Sequence, residues 1–347
     1  MHHGYWNLET LWFALIVVLW VGYFVLEGFD FGVGMLLRVV GRTESERGTV
    51  LRTIGPVWDG NEVWLLVAGG ATFAAFPGWY ATLFSGFYLA LFLILVGLIV
   101  RGVAIEYRNK HAGEAWRSRW DTAAVVSSAV PALLWGVGFA NVLQGVPIDA
   151  KGEYTGTLFT LLNPYALYAG VTTLALFALH GAVFLAIRTT EELKERSRRV
   201  ALALAFPTAG LVLGFLIWTY LNAVHGNGKG IVPGVVPVAA LFLAFGVGAL
   251  VRARHEGLAF AATALAITLV TVTIFLNLYP RVLVSSTADA NSLTIWTTSS
   301  SHYTLTVMSV VALLFTPVVL VYQGWTYWVF RHRLGSDAKS PLSLLTK

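Results

Sequence analysis

The chain has 347 residues, of which 57% are hydrophobic and 12% charged, about half the charged share of a soluble domain. It contains no cysteine, which excludes disulfides, zinc–thiolate sites, iron–sulfur clusters and thiolate-bound haem and leaves His, Met and carboxylates as metal ligands. The formal net charge of +5 points to basic residues retained beside a cytoplasmic leaflet, so no nucleic-acid partner is expected.

Apolar runs long enough to cross a hydrocarbon core of about 30 Å recur along the chain. They predict an all-α polytopic membrane protein with nine transmembrane helices: Leu8 to Leu37, Ile54 to Phe76, Tyr80 to Glu106, Asp121 to Leu143, Leu158 to Ile187, Val200 to Ala223, Ile231 to Val251, Leu258 to Leu278 and Tyr303 to Phe330. No Lys or Arg precedes Arg38, so the first run reads as a span and not as a cleaved signal peptide. With the N-terminus outside and the C-terminus cytoplasmic, only Lys151, Lys229 and Arg281 of the 23 Lys and Arg fall outward. A miscounted span would reverse every later loop and spoil that sorting.

A weak internal repeat accompanies the spans. Asn7-Leu-Glu-Thr-Leu-Trp12 opens the first as Asn163-Pro-Tyr-Ala-Leu-Tyr168 opens the fifth, and Leu26-Glu27-Gly28 matches Leu179-His180-Gly181. Phe139-Ala-Asn141 likewise echoes Phe275-Leu-Asn277. The expected organisation is two four-helix bundles plus one peripheral helix, divided as 1–157, 158–302 and 303–347.

Ionisable groups inside a span are costly, which makes each a functional candidate. Glu27 and Asp30 lie three residues apart on one face of the first helix, beside the small residues Gly28 and Gly32. Asp59 and Glu62 share a face near the start of the second, and Arg101 and Glu106 close the third. All lie in the inner half of the first three helices, the placement a proton inlet from the cytoplasm needs. Asp59 and Glu62 also admit a structural reading as helix-start acids balancing Arg52, and Glu106 as a partner of Arg101 or Arg108.

Of eight His, only His180 is well inside a span, and Met35 and Met308 stand near opposite faces. A b-type haem needs a His with a His or Met partner, so His180 reads as a buried, hydrogen-bonded residue. Gly226-Asn-Gly-Lys-Gly230 lacks the Ser or Thr and the strand of a phosphate loop and reads as an outer turn. Trp6, Trp12, Trp79, Trp325 and Trp328 fit interfacial belts, and Glu191 to Arg199 reads as a solvated connector.

Several strings form a recognisable set: Glu27-Gly-Phe-Asp30-Phe-Gly-Val-Gly34 with Arg42, Trp58-Asp-Gly-Asn-Glu-Val-Trp64, Phe76-Pro77, Phe84-Ser-Gly-Phe-Tyr88, Gln144-Gly-Val-Pro147, Leu162-Asn-Pro164, and Ser285-Ser-Thr287 with Asn291-Ser-Leu-Thr294. Together they resemble subunit II of the cytochrome bd quinol oxidases over nearly the whole chain. The resemblance implies a heterodimer in the bacterial inner membrane. Its partner, subunit I, would hold haem b and haem d, oxidise quinol and reduce oxygen to water. No cofactor is expected on this chain beyond the structural quinone that some members bind, and small single-helix subunits can accompany the pair. Asp59, Glu27 and Glu106 match the family's acidic positions, and with Asp30 they make up the expected proton path. The family varies at Glu62. A proton- or cation-coupled secondary transporter built on Glu27, Asp30 and Asp59 is the alternative from a different class.

Overall fold

The computed structural model describes residues 7–227 and 234–335. The chain is almost entirely helical, and eight helices among the described residues are long and apolar enough to cross a membrane. This is a multi-pass membrane protein. Side chains such as Phe206, Phe242 and Leu313 stand exposed on its flanks, as a hydrocarbon surround allows.

Helix α1 (Leu8–Val40) starts at Asn7, whose side chain accepts from the Thr10 amide at 2.9 Å. From Glu27 to Gly34 every residue is buried, because α1 enters the middle of the molecule there. A Cβ on Gly32 would collide with the backbone of Gly181, so these two glycines let α1 touch the helix that carries Gly181. A short helix not expected from sequence, α2 (Glu44–Ile54), follows under a capping box of Thr43 and Glu46.

The second predicted span becomes α3 (Trp58–Ala75), delayed by the Gly55-Pro56-Val57 turn. Its 18 residues include Asp59, Asn61 and Glu62, and it is not among the eight apolar helices. The third is divided at Phe87 into α4 (Pro77–Gly86) and α5 (Tyr88–Tyr107). Helix α6 (Glu114–Gln144) begins two turns before the predicted span, and α7 (Pro164–Arg188) takes Pro164 in its first turn with Asn163 as cap. Residues Leu158–Leu161, predicted to open that span, form a separate 3-10 turn.

Helix α8 (Glu191–Asn227) absorbs the segment read as a solvated connector. Leu193, Arg196, Ser197 and Arg198 are buried there, which corrects that reading. The guanidinium of Arg196 donates to the Val40 carbonyl at 2.5 Å and pairs with Glu46, while Arg198 donates to the Val251 carbonyl at 3.0 Å. A charged sequence is thus drawn inward by carbonyls at the end of α1 and beside Arg252. Helices α9 (Val235–Arg252) and α10 (Glu256–Leu278) complete this half. The expected start at Ile231, Trp6, the side chain of His225 and most of the Gly226–Gly230 turn lie outside the described residues.

Beyond α10, β1 (Arg281–Leu283) pairs antiparallel with β2 (Leu293–Thr294), followed by the single turn α11 (Ile295–Thr298). The Ile148 carbonyl accepts from Ser285 at 3.2 Å, from Asn291 at 3.0 Å and from Thr287. The Gln144–Pro147 and Ser285–Thr294 strings therefore meet in one cap. Helix α12 (His302–Val329) lies at the periphery, with 6% of its most apolar stretch buried.

Candidate functional site

Glu27 and Asp30, one turn apart on α1, are both fully buried. The Arg101 guanidinium of α5 forms an ion pair with Glu27 and reaches Glu62 of α3 at 3.0 Å, stacking over the Phe31 ring at 4.7 Å. Glu62 keeps 24% of its side chain exposed, so the cluster runs from the interior to the surface. Asp30 has a different partner: its Oδ2 accepts from Asn61 Nδ2 at 2.7 Å. The Asn61 carbonyl oxygen accepts in turn from the Tyr327 hydroxyl at 2.7 Å and from Gln323 Nε2 at 3.3 Å, both on α12.

Two carboxyl groups thus share one guanidinium, and a third, that of Asp30, stands one turn along α1 with the Asn61 amide as its partner. Glu27 Oε2, Asp30 Oδ1 and Arg101 Nε and Nη1 are buried without a hydrogen-bond partner. Orphaned buried oxygens of this kind call for a proton or a water, since unsatisfied polar atoms in a low-dielectric interior are costly. An acid-rich cluster with free oxygens can take up and release protons.

The other two predicted site residues stand apart. Asp59 is exposed, and its Oδ1 accepts from the neighbouring Gly60 amide at 2.7 Å. Glu106 is exposed on α5 and pairs with neither Arg101, which serves Glu27 and Glu62, nor Arg108, which serves Asp121 and Glu44. Both nevertheless lie within two turns of the Arg101–Glu62 contact. Asp59 is one turn nearer the basic end of the molecule along α3, and Glu106 is about 7 Å nearer it along α5. Asn61, Gln323 and Tyr327 escaped sequence reasoning. Their signal was a Gln and a Tyr four residues apart on an otherwise apolar helix, and an amide inside the Trp58–Trp64 string.

A second ion cluster closes the basic end. Asp121, fully buried, contacts Arg108 Nε at 2.6 Å and Arg47 Nε at 2.8 Å, and Glu44 joins Arg108 at 3.2 Å to Arg117 at 2.9 Å. Nearby, Arg196 holds the Glu46 carboxyl down to about 2, chiefly by hydrogen bonding.

His180 is fully buried, as expected. Its Nδ1 lies 2.6 Å from Thr263 Oγ1, its Nε2 3.1 Å from the Val25 carbonyl, and its ring stacks on Phe260 at 4.5 Å. Toward the end opposite the basic one, an apolar cleft of about 850 Å³ opens between α3, α4, α5 and α6, lined by residues including Trp79, Phe84, Phe92 and Phe139.

The comparisons bear on what these clusters serve. The family model for cytochrome bd terminal oxidase subunit II matches residues 8–330. The chain is 40% identical to the cytochrome bd ubiquinol oxidase subunit 2 of Bacillus subtilis, covering 97% of this chain and 99% of that one. It is 37% identical to the cytochrome bd-I ubiquinol oxidase subunit 2 of Escherichia coli K12, with 95% and 96% covered. The solved bd oxidase from Geobacillus thermodenitrificans contains a chain of similar fold, with a TM-score of 0.69 at 18% identity over 91% of this chain and 97% of that one. With near-complete coverage by family model and relatives alike, the chain belongs to the cytochrome bd terminal oxidase subunit II family.

Proposed function

We propose that this chain is the haem-free subunit of a quinol:oxygen oxidoreductase and carries protons from the cytoplasm toward a haem-bearing subunit I. Glu27, Asp30 and Glu62 are its inner relay, and Asp59 and Glu106 are its mouth. The observation that carries the proposal is the buried excess of carboxyl groups around Arg101, with free oxygens on Glu27 and Asp30. The ladder Glu106, Asp59, Glu62, Glu27 then ascends from the basic end, which the distribution of Lys and Arg assigns to the cytoplasm. Topologically, α3 counts as the ninth span despite its polarity, giving N-out and C-in in a bacterial inner membrane, with the two four-helix bundles and peripheral α12 of the sequence repeat.

Haem b and haem d belong in the partner, where they would supply the electron transfer and oxygen chemistry. In support, both ring nitrogens of His180, the one deeply placed histidine among the described residues, are already engaged. The apolar cleft offers room for a lipid-soluble quinone. Family membership decides for the oxidase over the transporter alternative.

Purification with subunit I should give haem b and haem d spectra in the complex and none on this chain alone. Asp59→Asn should leave the haem content intact and slow oxygen reduction, because an amide keeps the shape of the acid but loses the exchangeable proton. Stoichiometric haem on the isolated subunit overturns the haem-free assignment, and wild-type turnover in an intact Asp59→Asn complex removes Asp59 from the path.

A further inference from the structure

Gln323 and Tyr327 stand on α12, outside the acid cluster, yet their hydrogen bonds converge on the amide that holds Asp30. An indole N–H can only donate, so the 2.8 Å contact of Trp64 Nε1 with Gln323 identifies the Gln323 atom as its carbonyl oxygen. The other arm of the same amide, Nε2, must then be the one that meets Asn61 at 3.3 Å, and it can only donate. The Tyr327 hydroxyl reaches the same Asn61 atom at 2.7 Å. An atom receiving the Gln323 N–H is the Asn61 carbonyl oxygen, which turns the Asn61 NH2 toward Asp30 Oδ2 at 2.7 Å. One donor-only ring thus sets the direction of three successive hydrogen bonds across α3, α12 and α1.

From this geometry we infer that Gln323 and Tyr327 are positioning residues for Asp30, acting through Asn61. The Asn61 N–H occupies Oδ2 whether or not Asp30 is protonated. Oδ1, buried and without a partner, is left as the oxygen that carries the exchanging proton. Without the two α12 donors, the Asn61 amide is free to rotate. Its carbonyl then repels an ionised Asp30 and welcomes a protonated one, so the proton is held more tightly.

Other charged and titratable groups near Asp30 are Glu27 and Tyr23 on α1, Glu62 on α3 and Arg101 on α5, with Arg188 of α7 behind Tyr327. The side chain of Asn61 hydrogen-bonds to Asp30, Gln323 and Tyr327 and to none of those groups, so the α12 contribution is separable from theirs. Elsewhere α12 is hydrogen-bonded to α1 through Trp12 Nε1, which donates to the Leu305 carbonyl at 3.1 Å and to Ser309 at 3.0 Å. Toward its C-terminal end, this peripheral helix turns two polar side chains, Gln323 and Tyr327, onto a single amide.

The inference rests on the proton-handling reading of Asp30, and the test separates the two. In the purified complex with subunit I, wild type is compared with Tyr327→Phe, with Gln323→Met/Tyr327→Phe and with Asp30→Asn. Oxygen consumption is measured against pH, together with the infrared carboxyl or carboxylate band that Asp30→Asn abolishes. Tyr327→Phe retains the ring beside Phe29 and removes one donor. The double variant should move the pH profile about one unit toward alkaline pH and displace the Asp30 band, with haem content unchanged and the single variant intermediate. An unmoved profile and band in both variants, with slowed turnover in Asp30→Asn, overturns the positioning role and leaves the relay standing. Wild-type turnover in Asp30→Asn removes Asp30 from the relay, and the band alone then decides whether α12 orients it: a displaced band upholds positioning, an unmoved one overturns it.

Discussion

Two buried ion clusters in this subunit balance charge in opposite ways. Around Asp121, each carboxylate oxygen meets a guanidinium, Arg108 on one side and Arg47 on the other, and Glu44 is shared by Arg108 and Arg117. Three bases serve two acids. Glu27 and Glu62 share the single base Arg101, Asp30 beside them has only the Asn61 amide, and Glu27 Oε2 and Asp30 Oδ1 meet no donor. A cluster with surplus arginine has every acid neutralised and nothing to exchange, so its work is to tie α2, α5 and α6 together. A cluster with surplus acid must take its missing positive charge from elsewhere, and protons are the mobile source. On the proposed function, the composition of each cluster separates fastening from transfer, although Asp121 and Arg108 are as deeply buried as Glu27 and Arg101.

The two clusters should respond differently to loss of their central residues, Arg101 and Asp121. Arg101→Met strands Glu27 in the interior and should cost about 3–5 kcal/mol, read as loss of intact haem-containing complex. Adding Glu27→Gln should restore part of that yield, because the stranded charge is gone. Asp121→Asn should cost less, about 2–3 kcal/mol, since Arg108 keeps Glu44 and Arg47 has access to water. Thermal denaturation of the complex checks this, while turnover per haem stays at the wild-type level. Slowed turnover in an intact Asp121→Asn complex would erase the distinction between fastening and transfer.

Asp30→Asn should reduce oxygen consumption by about tenfold, equivalent to about 1.4 kcal/mol of barrier, with haem content retained. Among the fasteners, Glu46 is held at about 2 by Arg196, below the ordinary value of 4.5. Its contribution is complete above the ordinary carboxylate range and is lost as the pH falls through that range toward 2. Glu46→Gln should therefore lower thermal stability at neutral pH and flatten its acid dependence, leaving turnover alone.

Much of this was legible in the sequence because lipid imposes few solutions. Long apolar runs had to be helices, and Glu27 and Asp30 had to find partners once placed inside one. The sequence could not identify the partners. Arg101 was visible, but which of Glu27, Glu62 and Glu106 it served depends on how α1, α3 and α5 are rotated about their axes. Hydropathy placed α3 only approximately, since Asp59, Asn61 and Glu62 dilute its apolar character. The Phe87 break follows Ser85-Gly86, a turn-forming pair that the length of the surrounding apolar run overrode when the third span was placed. The Glu191–Arg199 segment misled for the converse reason: its charges look solvated until the carbonyls of Val40 and Val251, distant in sequence, are brought beside them.

Proton uptake during a single turnover reports whether the cluster around Arg101 passes protons. The assembled oxidase is mixed with oxygen in the presence of a pH-indicating dye, comparing wild type with Glu27→Gln/Asp30→Asn at equal haem content. Transfer through the acid-rich cluster predicts that uptake slows by about tenfold or more in the variant, with the first oxidation of the haems unchanged. Uptake at the wild-type rate in an intact variant would contradict it, and the cluster around Arg101 would then be one more fastening.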